Sequence, residues 1–445
     1  MKTLLSNAYV VTMDDEGTEY ADGWILADDG LIEEVGSGAP PPAEHFENLG
    51  GALATPGLVN THHHLFQNLT RTRAQQADLF TWLRELYPLW ARLDYPAEQA
   101  AARAGLAELA LSGCSTVFDH HYVFPQPDGV ELLSAEIAAA EELGVRLIAA
   151  RGSMDLGQSK GGLPPDDLVE ETDEILRTTE WAAHFHQKER GARIQIAVAP
   201  CSPFSVTKEL MMESATLARR LGLRLHTHLA ETVEEEEYCQ GLFGCRPLEY
   251  LEQVGWLEDD VWCAHCVHLS KADVLRFGTA GTGVAHCPTS NMRLGAGIAP
   301  VQEMLANDVR VGLGVDGSAS NERGDLLLEA KQALLVARAR GGADALTARE
   351  ALRLATRGGA AVLGRDDIGS LEPGKCADVA VWSVAGLEFG GADDVVAALV
   401  LSAPHRVYRL YVGGQEVVHD GSLTRADEHE IAYEHALQAR RFLDD

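Results

Sequence analysis

Between residues 56 and 364 the sequence alternates regularly between two kinds of segment. Short runs rich in β-branched and other apolar residues have the length of strands that are buried on both faces. Each is followed by a longer stretch rich in Ala, Leu and Glu that has the length of a helix, as at 97–111, 136–143, 210–221 and 326–339. We predict strands at 57–62, 115–121, 146–154, 193–200, 224–228, 261–265, 283–287 and 311–316. Eight strand–helix repeats predict an α/β protein built on a (β/α)₈ TIM-type barrel.

Both ends of the chain have a different pattern. Residues 3–55, and later 368–384 and 407–421, alternate apolar and polar residues between Asp-Gly and Gly-Gly turns, which is typical of antiparallel strands. Each end is too short to bury a core of its own. We therefore expect one small β-sandwich built from residues 1–55 and 366–425, a barrel of residues 56–365, and a C-terminal helix within 426–445.

The charge and the cysteines restrict the partners and the compartment. A net charge of −31 repels the phosphate backbone of nucleic acids, so we expect no nucleic-acid partner. Residues 1–23 contain one Lys and soon become acidic, unlike a signal peptide, and no apolar run reaches the roughly 18 residues of a membrane span. The eight cysteines follow no disulfide framework, so we expect reduced thiols, a cytoplasmic protein and no membrane partner.

Three successive histidines, His62, His63 and His64, follow the first predicted strand. Residues two apart in a strand share a face, so we expect His62 and His64 to point together and His63 to point away. Adjacent imidazoles are costly to bury without partners. The His-x-His pair is therefore a candidate for two nitrogen ligands of a metal ion.

Further ligand-type side chains stand at the ends of later predicted strands. These are His226, His228 and Glu231 after the fifth strand, His265 after the sixth, His286 after the seventh and Asp316 after the eighth. The carboxyl ends of barrel strands meet at one face, which is where this fold places catalytic side chains. The sequence therefore predicts a metal-dependent active site at that face.

Several segments carry a resemblance to a known family. PGLVNTHHH, HLAE, AHCVH, VDG and LEPGKCADVAVW resemble, in order, the motifs of the amidohydrolase superfamily. More narrowly, NTHHHLFQNLTR, DHHYVFP, APCSPFSVT, LHTHLAET, HCPTSNMRL and GLGVDGSASN are similar in order and spacing to the bacterial 8-oxoguanine deaminases. The resemblance extends from the first predicted strand to the C-terminal tail.

The resemblance implies a ligand set and catalytic partners. The implied metal ligands are His62, His64, His228 and Asp316, with Glu231, His265 and Asp316 as catalytic residues. Three imidazoles and one carboxylate with an open position suit a catalytic Zn²⁺, one per chain, and Fe²⁺ suits the same ligands. Binuclear members of the superfamily carry a bridging lysine on strand four. The predicted strand at 193–200 has no lysine, which favours a single metal and deamination over amide hydrolysis.

The implied reaction is 8-oxoguanine plus water to uric acid plus ammonia, by attack of a metal-bound hydroxide on the carbon that bears the amine. Two proton carriers are needed. We expect Glu231 to protonate the ring nitrogen and Asp316 to carry the water proton to the leaving amine. His265 is expected to orient the hydroxide or polarise the adduct.

Substrate contacts are predicted from position at the barrel mouth. Gln67 follows His64 by three residues and can donate to and accept from a purine edge. Arg151 ends the third predicted strand, and Trp82 and Tyr122 have rings that could stack on a base. Residues 159–167 are expected to form a loop over the pocket.

The remaining polar residues have structural interpretations. We expect His226 to be a hydrogen-bonded supporting residue and His63 to be structural. His120, His121 and His286 either touch substrate or support those that do. The acidic run 234–237 is interpreted as a solvent-exposed helix face.

Other functions remain open at this point. One alternative is a related deaminase that acts on isoxanthopterin, guanine or a hydroxylated s-triazine. Alternatives from other functional classes are a cyclic amide hydrolase and a barrel that serves as a non-catalytic scaffold. We expect a small heterocyclic base as substrate and a homo-oligomer as the assembly.

Overall fold

Strands and helices alternate through most of the chain in a computed structural model that describes residues 2–125, 129–402, 404 and 406–444. In chain order the strands of this part are β1 Lys2–Val11, β2 Glu19–Asp28, β3 Leu31–Ser37, β4 His45–Pro56, β5 Leu58–Asn60, β6 Cys114–His121, β7 Arg146–Ser153, β8 Ile194–Pro200, β9 Arg224–Leu229, β10 Val261–His265, β11 Gly283–His286, β12 Val311–Leu313, β13 Val379–Trp382, β14 Arg409–Val412, β15 Gln415–His419 and β16 Ser422–Leu423.

The α-helices lie mainly between the strands from β5 onwards. They are α1 Leu79–Trp90, α2 Tyr95–Leu111, α3 Leu132–Leu143, α4 Thr172–Ala182, α5 Lys208–Leu221, α6 Val233–Phe243, α7 Pro247–Gln253, α8 Lys271–Ala280, α9 Pro288–Arg293, α10 Val301–Leu305, α11 Leu326–Gly341, α12 Ala348–Arg353, α13 Gly359–Val362, α14 Val395–Ser402 and α15 Glu428–Asp444. A π-helical turn, Leu354–Gly358, joins α12 to α13. Within the described residues, no helix combines the length and the apolar character needed to cross a bilayer.

Strands β5 to β12 close into a parallel barrel, which confirms the predicted fold. Closure is made by β12, where Leu313 pairs with Asn60 of β5. Two strands are three residues shorter than predicted, since 57–62 is reduced to β5 and 311–316 to β12. Beyond β12 the backbone bonds become irregular: the Gly314 N–H donates to the His286 carbonyl, and the Asp316 N–H donates to the His62 carbonyl. Asp316 itself takes a left-handed conformation with φ 64°. His62, His64 and Asp316 therefore lie at the barrel mouth, just beyond the regular strands.

The two ends of the chain combine into one sheet, as the sequence predicts. Its strand order is β16-β15-β14-β13-β4-β1-β2-β3, and β1 pairs in parallel with β4 while the other pairs are antiparallel. The sheet folds back on itself, because the Gly30 carbonyl after β2 accepts a hydrogen bond from the Ala377 backbone N–H, and Gly30 lies against Gly413 after β14. The two halves of the folded sheet enclose one apolar cluster that includes Leu5, Ile25, Val379 and Tyr411.

The opposite end of the barrel from the site is sealed by α13. Ala360 and Val362 pack with Val59 and Trp262 in the barrel interior. The approach is close, because a Cβ on Gly312 would lie only 2.8 Å from the Cα atom of Gly359. Small residues at this crossing therefore let the helix plug the barrel and leave the mouth as the accessible end.

Candidate active site

Four side chains at the barrel mouth bring their ligand atoms to one point. Asp316 Oδ1 lies 3.4 Å from His62 Nε2 and 3.3 Å from His64 Nε2. His64 Nε2 lies 3.2 Å from His228 Nε2. All four residues are buried, and His62 Nε2 has no hydrogen-bond partner among the described residues. The structure thus brings together the four residues predicted to bind the metal.

The outer nitrogen of each imidazole fixes where its proton lies. His64 Nδ1 is 2.7 Å from the His120 carbonyl and His228 Nδ1 is 2.7 Å from the Cys201 carbonyl. A carbonyl only accepts, so both Nδ1 atoms carry the proton and both Nε2 atoms present lone pairs. Burial lowers the pKa of both imidazoles well below the usual value and keeps them neutral.

His62 obtains the same tautomer through a second imidazole. His226 Nδ1 donates to the Trp262 carbonyl at 3.0 Å, which leaves His226 Nε2 as an acceptor. His62 Nδ1 lies 2.9 Å from that atom and therefore donates to it. The lone pair of His62 Nε2 points to the same place as those of His64 and His228. His226 is thus the hydrogen-bonded supporting residue that the sequence analysis expects.

This donor set fits a divalent metal ion. Two imidazole lone pairs 3.2 Å apart repel each other unless a cation lies between them. About 3.3 Å is the separation expected of two nitrogens at tetrahedral angles around Zn²⁺ with bonds of about 2.0–2.1 Å. Although burial raises the pKa of Asp316, its contact with His62 and its proximity to the imidazoles of His265 and His64 outweigh that effect, so the pKa falls well below the usual range. The ionised carboxylate supplies negative charge for such a cation.

Glu231 and His265 face each other beside this point. Glu231 Oε2 lies 3.6 Å from His265 Nε2, which is 3.9 Å from Asp316 Oδ2. Burial raises the pKa of Glu231 to about 7, so that carboxyl can hold or release a proton near neutrality. Burial lowers the pKa of His265, but the carboxylates of Glu231 and Asp316 outweigh it and the net shift is upward.

Two supporting residues of this pair were not anticipated from the sequence. Glu235 accepts hydrogen bonds from the backbone N–H groups of Ala230 (2.8 Å) and Glu231 (2.9 Å) and is fully buried. The interpretation of 234–237 as an exposed acidic face is therefore wrong at Glu235, which stabilises the turn that carries Glu231. Asn291 Oδ1 lies 2.9 Å from His265 Nδ1. The spacing of Glu235, four residues after Glu231 in the first turn of α6, was the available signal.

A small cavity opens beside these groups. Its walls are formed by His64, Gln67, Leu79, Trp82, Leu83, Tyr122, Cys201, Phe204, His228, Glu231, His265, Leu294, Asp316 and Ser320. Half of these residues are polar or titratable and half are apolar or aromatic, a mixture that suits a small polar heterocycle. Three of the four predicted substrate contacts, Gln67, Trp82 and Tyr122, line it.

The side-chain oxygen of Gln67 is a hydrogen-bond acceptor in the wall of this cavity. Its Nε2 lies 3.5 Å from the Tyr122 hydroxyl, whereas its Oε1 is buried without a hydrogen-bond partner among the described residues. The amide sits close against Gly317, where a Cβ atom would lie 2.0 Å from Gln67 Oε1. A buried free acceptor needs a donor, which an N–H group of a bound heterocycle can provide.

Arg151 does not line the cavity, and its predicted substrate contact must be corrected. Its guanidinium contacts Glu170 Oε1 at 2.7 Å, bonds to Thr178 Oγ1, and lies 4.0 Å from the centre of the Phe124 ring. These contacts use its donors, because the side chain points from β7 towards the segment before α4 instead of the barrel axis. Arg151 anchors that segment.

The other histidines surround the site in different ways. His63 Nδ1 accepts from the His64 backbone N–H at 2.6 Å, and burial lowers the pKa of His63 to about 3. The His120 ring stacks on His228 at 4.8 Å, so it supports a ligand. Burial lowers the pKa of His286 to about 3, and neither it nor His121 lines the cavity.

Sequence comparison identifies the family. The profile of the Amidohydrolase family matches residues 53–417. The chain belongs to the amidohydrolase family. Within it, the chain is 48% identical over 418 residues to an 8-oxoguanine deaminase of Pseudomonas aeruginosa, covering 92% of each chain. It is 35% identical to an isoxanthopterin deaminase of an unknown prokaryotic organism, covering 99% of this chain and 97% of the relative.

Solved structures of amidohydrolases share the fold and bind zinc. Atrazine chlorohydrolase from Arthrobacter aurescens TC1, solved in complex with zinc, superposes with a TM-score of 0.94 at 33% identity, over 98% of this chain and 100% of that chain. The family, the deaminase relatives and the converging ligands together make this chain a metal-dependent aminohydrolase of the deaminase type.

Proposed function

We propose that this amidohydrolase converts 8-oxoguanine and water to uric acid and ammonia. One observation carries the proposal: Asp316 Oδ1 lies 3.4 Å from His62 Nε2 and 3.3 Å from His64 Nε2, and His228 Nε2 lies 3.2 Å from His64 Nε2. These groups stand beside the cavity that also holds Glu231 and His265. The 48% identity to an 8-oxoguanine deaminase supports the choice of heterocycle.

We propose one Zn²⁺ at this centre, held by His62, His64, His228 and Asp316, with Fe²⁺ as the alternative. When bound there, such an ion supplies hydroxide near neutral pH by lowering the pKa of water to about 7. The zinc in the solved amidohydrolase structure supports zinc over iron.

Glu231 is suited to deliver a proton to the ring nitrogen next to the attacked carbon. Its carboxyl lines the cavity, and its raised pKa of about 7 allows the protonated and ionised forms to interconvert at physiological pH. Glu235 holds the backbone of Glu231 at 2.9 Å, which fixes where the carboxyl can reach.

Asp316 and His265 are suited to the second proton transfer. Asp316 Oδ1 faces His62 and His64, whereas Oδ2 faces His265 at 3.9 Å. The two oxygens can therefore act separately, one as a ligand and the other as an acceptor for the water proton that ends on the departing ammonia. His265, with its raised pKa, donates towards the oxygen on which negative charge develops.

Gln67, Trp82 and Tyr122 are proposed to bind the base. Gln67 Oε1 lacks a partner and would accept from a ring N–H group of the substrate. Trp82 uses its indole N–H on the Ala319 carbonyl at 3.3 Å, so its ring is what it presents to the cavity. Aromatic walls with one amide edge suit a planar heterocycle.

A different reaction class is less well supported. Strand β8, Ile194–Pro200, contains no lysine that could bridge a second metal in the barrel. The cyclic amide hydrolase considered from the sequence is therefore disfavoured, and a scaffold without activity does not explain converging lone pairs.

We propose a cytoplasmic location and a homo-oligomeric assembly for this protein. All eight cysteines are free and buried, which supports a cytoplasmic location. The homo-oligomer is a prediction from the sequence resemblance.

The proposed substrate is tested by ammonia release from 8-oxoguanine, guanine, isoxanthopterin, cytosine and hydroxyatrazine with the zinc-loaded enzyme. We expect the highest kcat/KM for 8-oxoguanine. A higher value for the pterin or the triazine would overturn the substrate and leave the deaminase chemistry intact.

A further inference from the structure

A second group of ligand-type side chains lies outside the catalytic cavity. It comprises Glu98 on α2, His121 at the end of β6 and Glu136 on α3, and each of the three is 0% exposed. One nitrogen and two carboxylate oxygens from these residues lie within 4.8 Å of one another. Ligands on opposite sides of an ion with bonds of about 2.2 Å are about 4.4 Å apart, so the group has the size of a metal site.

His121 directs a lone pair into this group. Its Nε2 lies 2.8 Å from the Val123 carbonyl and must carry the ring proton of the neutral imidazole. Its Nδ1 is 2.7 Å from Glu136 Oε1 and 3.8 Å from Glu98 Oε1. The 2.7 Å between Nδ1 and Glu136 Oε1 is a hydrogen-bond distance, shorter than the roughly 3.3 Å between two tetrahedral ligands of Zn²⁺. A metal ion therefore enters only if these two side chains move apart; otherwise a proton lies between them.

The carboxylates have no other counter-charge. Both oxygens of Glu98 lack a hydrogen-bond partner in the part of the chain that the structure describes, whereas Glu136 faces a third buried carboxyl, that of Asp119. No Lys or Arg among the described residues forms an ion pair with either. Two buried carboxylates cannot both be ionised at this cost without a cation. A divalent ion neutralises both at once.

We propose that Glu98, His121 and Glu136 form a second metal site, which binds a divalent transition-metal ion such as Zn²⁺ or Mn²⁺. The arrangement repeats that of the catalytic ligands, where a backbone carbonyl fixes the outer nitrogen of an imidazole and the other nitrogen faces carboxylates.

The site's role is structural. It ties α2 and α3 to β6, and the neighbouring Asp119 accepts a hydrogen bond from the Leu65 backbone N–H at 2.6 Å. Leu65 follows the ligand His64 and begins the turn that carries Gln67. The second ion therefore supports the segment that presents both residues to the catalytic cavity.

Metal content measured by mass spectrometry tests this proposal. Chelator-treated protein is reloaded with Zn²⁺ or Mn²⁺, desalted and assayed for ions per chain. We expect about two ions for the wild type, about one for His228→Ala, which removes a catalytic nitrogen, and about one for Glu98→Gln/Glu136→Gln. Glu329→Gln is the matched control, because Glu329 is equally buried but already accepts from Thr289 N and Asn321 Nδ2. It should keep about two ions.

About one ion in the wild type and none in His228→Ala would overturn the second site and assign protons to the Glu98–His121–Glu136 group. Retention of about two ions by Glu98→Gln/Glu136→Gln would also overturn it. If that double variant fails to fold, the wild type and His228→Ala decide the matter by themselves. The readout is metal content, so the result is independent of which heterocycle is the substrate.

Discussion

At the scale of the residue, the protonation states in this site follow from hydrogen bonds made on the side away from the metal. The carbonyls of His120, Cys201 and Trp262 determine, directly or through His226, that three Nε2 atoms carry lone pairs. The positions of the ligands could be predicted from the sequence because they stand at strand ends. The carbonyl partners could not, since backbone hydrogen bonds depend on how the strands are registered.

Replacing Glu231 by Gln separates metal binding from proton transfer. The amide cannot carry a proton, and Glu231 is not one of the proposed ligands. We expect metal content to stay unchanged while kcat falls by about 10²- to 10⁴-fold. Metal analysis and steady-state kinetics check this. A kcat near that of the wild type would remove Glu231 from the mechanism.

Gly317 is expected to set the position of Gln67. An added methyl would clash with Gln67 Oε1 at 2.0 Å and displace the amide from the cavity. Gly317→Ala should lower kcat/KM on the order of tenfold while the metal is retained.

A double-mutant cycle with Gln67→Ala shows whether this effect acts through the amide. Once Gln67 is truncated, Gly317→Ala should cost little more. Full additivity of the two losses would mean that Gly317 acts in another way.

At the scale of the element, the helices are held by caps and by contacts with the C-terminal helix. Asp94 caps α2 by accepting from Ala97 N at 3.0 Å, and it also contacts Arg441 of α15 at 2.6 Å. Asp94→Ala should lower the free energy of unfolding by about 1 kcal/mol, most of it from the lost cap.

Arg441→Ala is the control for Asp94→Ala. It removes the half-exposed ion pair together with the contact to Gln438 and leaves the cap in place, so it should cost less than about 1 kcal/mol. Chemical denaturation of both variants measures the two values. A larger loss for Arg441→Ala than for Asp94→Ala would show that docking of α15, and not the cap, dominates.

The type and order of the elements could be predicted because short apolar runs of strand length alternate along the sequence with longer stretches of helix length. The ends of β5 and β12 could not, because the backbone beyond each strand still makes hydrogen bonds but in an irregular pattern, and Asp316 takes a left-handed conformation that is uncommon for a residue with a side chain. The predicted contact between Arg151 and the substrate was wrong for a related reason. Its position at the end of β7 was correct, but only the packing of the following segment shows that Glu170 and Thr178 occupy its donors.

At the scale of the whole molecule, one buried ion pair joins the barrel to the sheet. Arg146 of β7 bonds to Asp378 through two contacts of 2.8 and 2.9 Å, and both side chains are 3% exposed. Asp378→Asn leaves the guanidinium without its counter-charge. We expect a loss of about 3 kcal/mol in the free energy of unfolding.

Asp260→Asn is the matched control for Asp378→Asn. Arg219 and Asp260 form a similar two-contact pair at 2.7 and 3.0 Å, but it is partly exposed on the surface. Its loss should cost less than about 1 kcal/mol. Equal losses from the two variants, measured by chemical denaturation, would contradict the view that the buried pair joins the two parts.

The central claim is that this metal centre directs water to the amine-bearing carbon of 8-oxoguanine. The most direct measurement is turnover of 8-oxoguanine by the zinc-loaded enzyme in oxygen-18 water, with mass analysis of the product and an assay for ammonia. We predict uric acid that carries the heavy oxygen, together with an equal amount of ammonia. Unlabelled product, or no ammonia from protein with a filled catalytic centre, would contradict the claim.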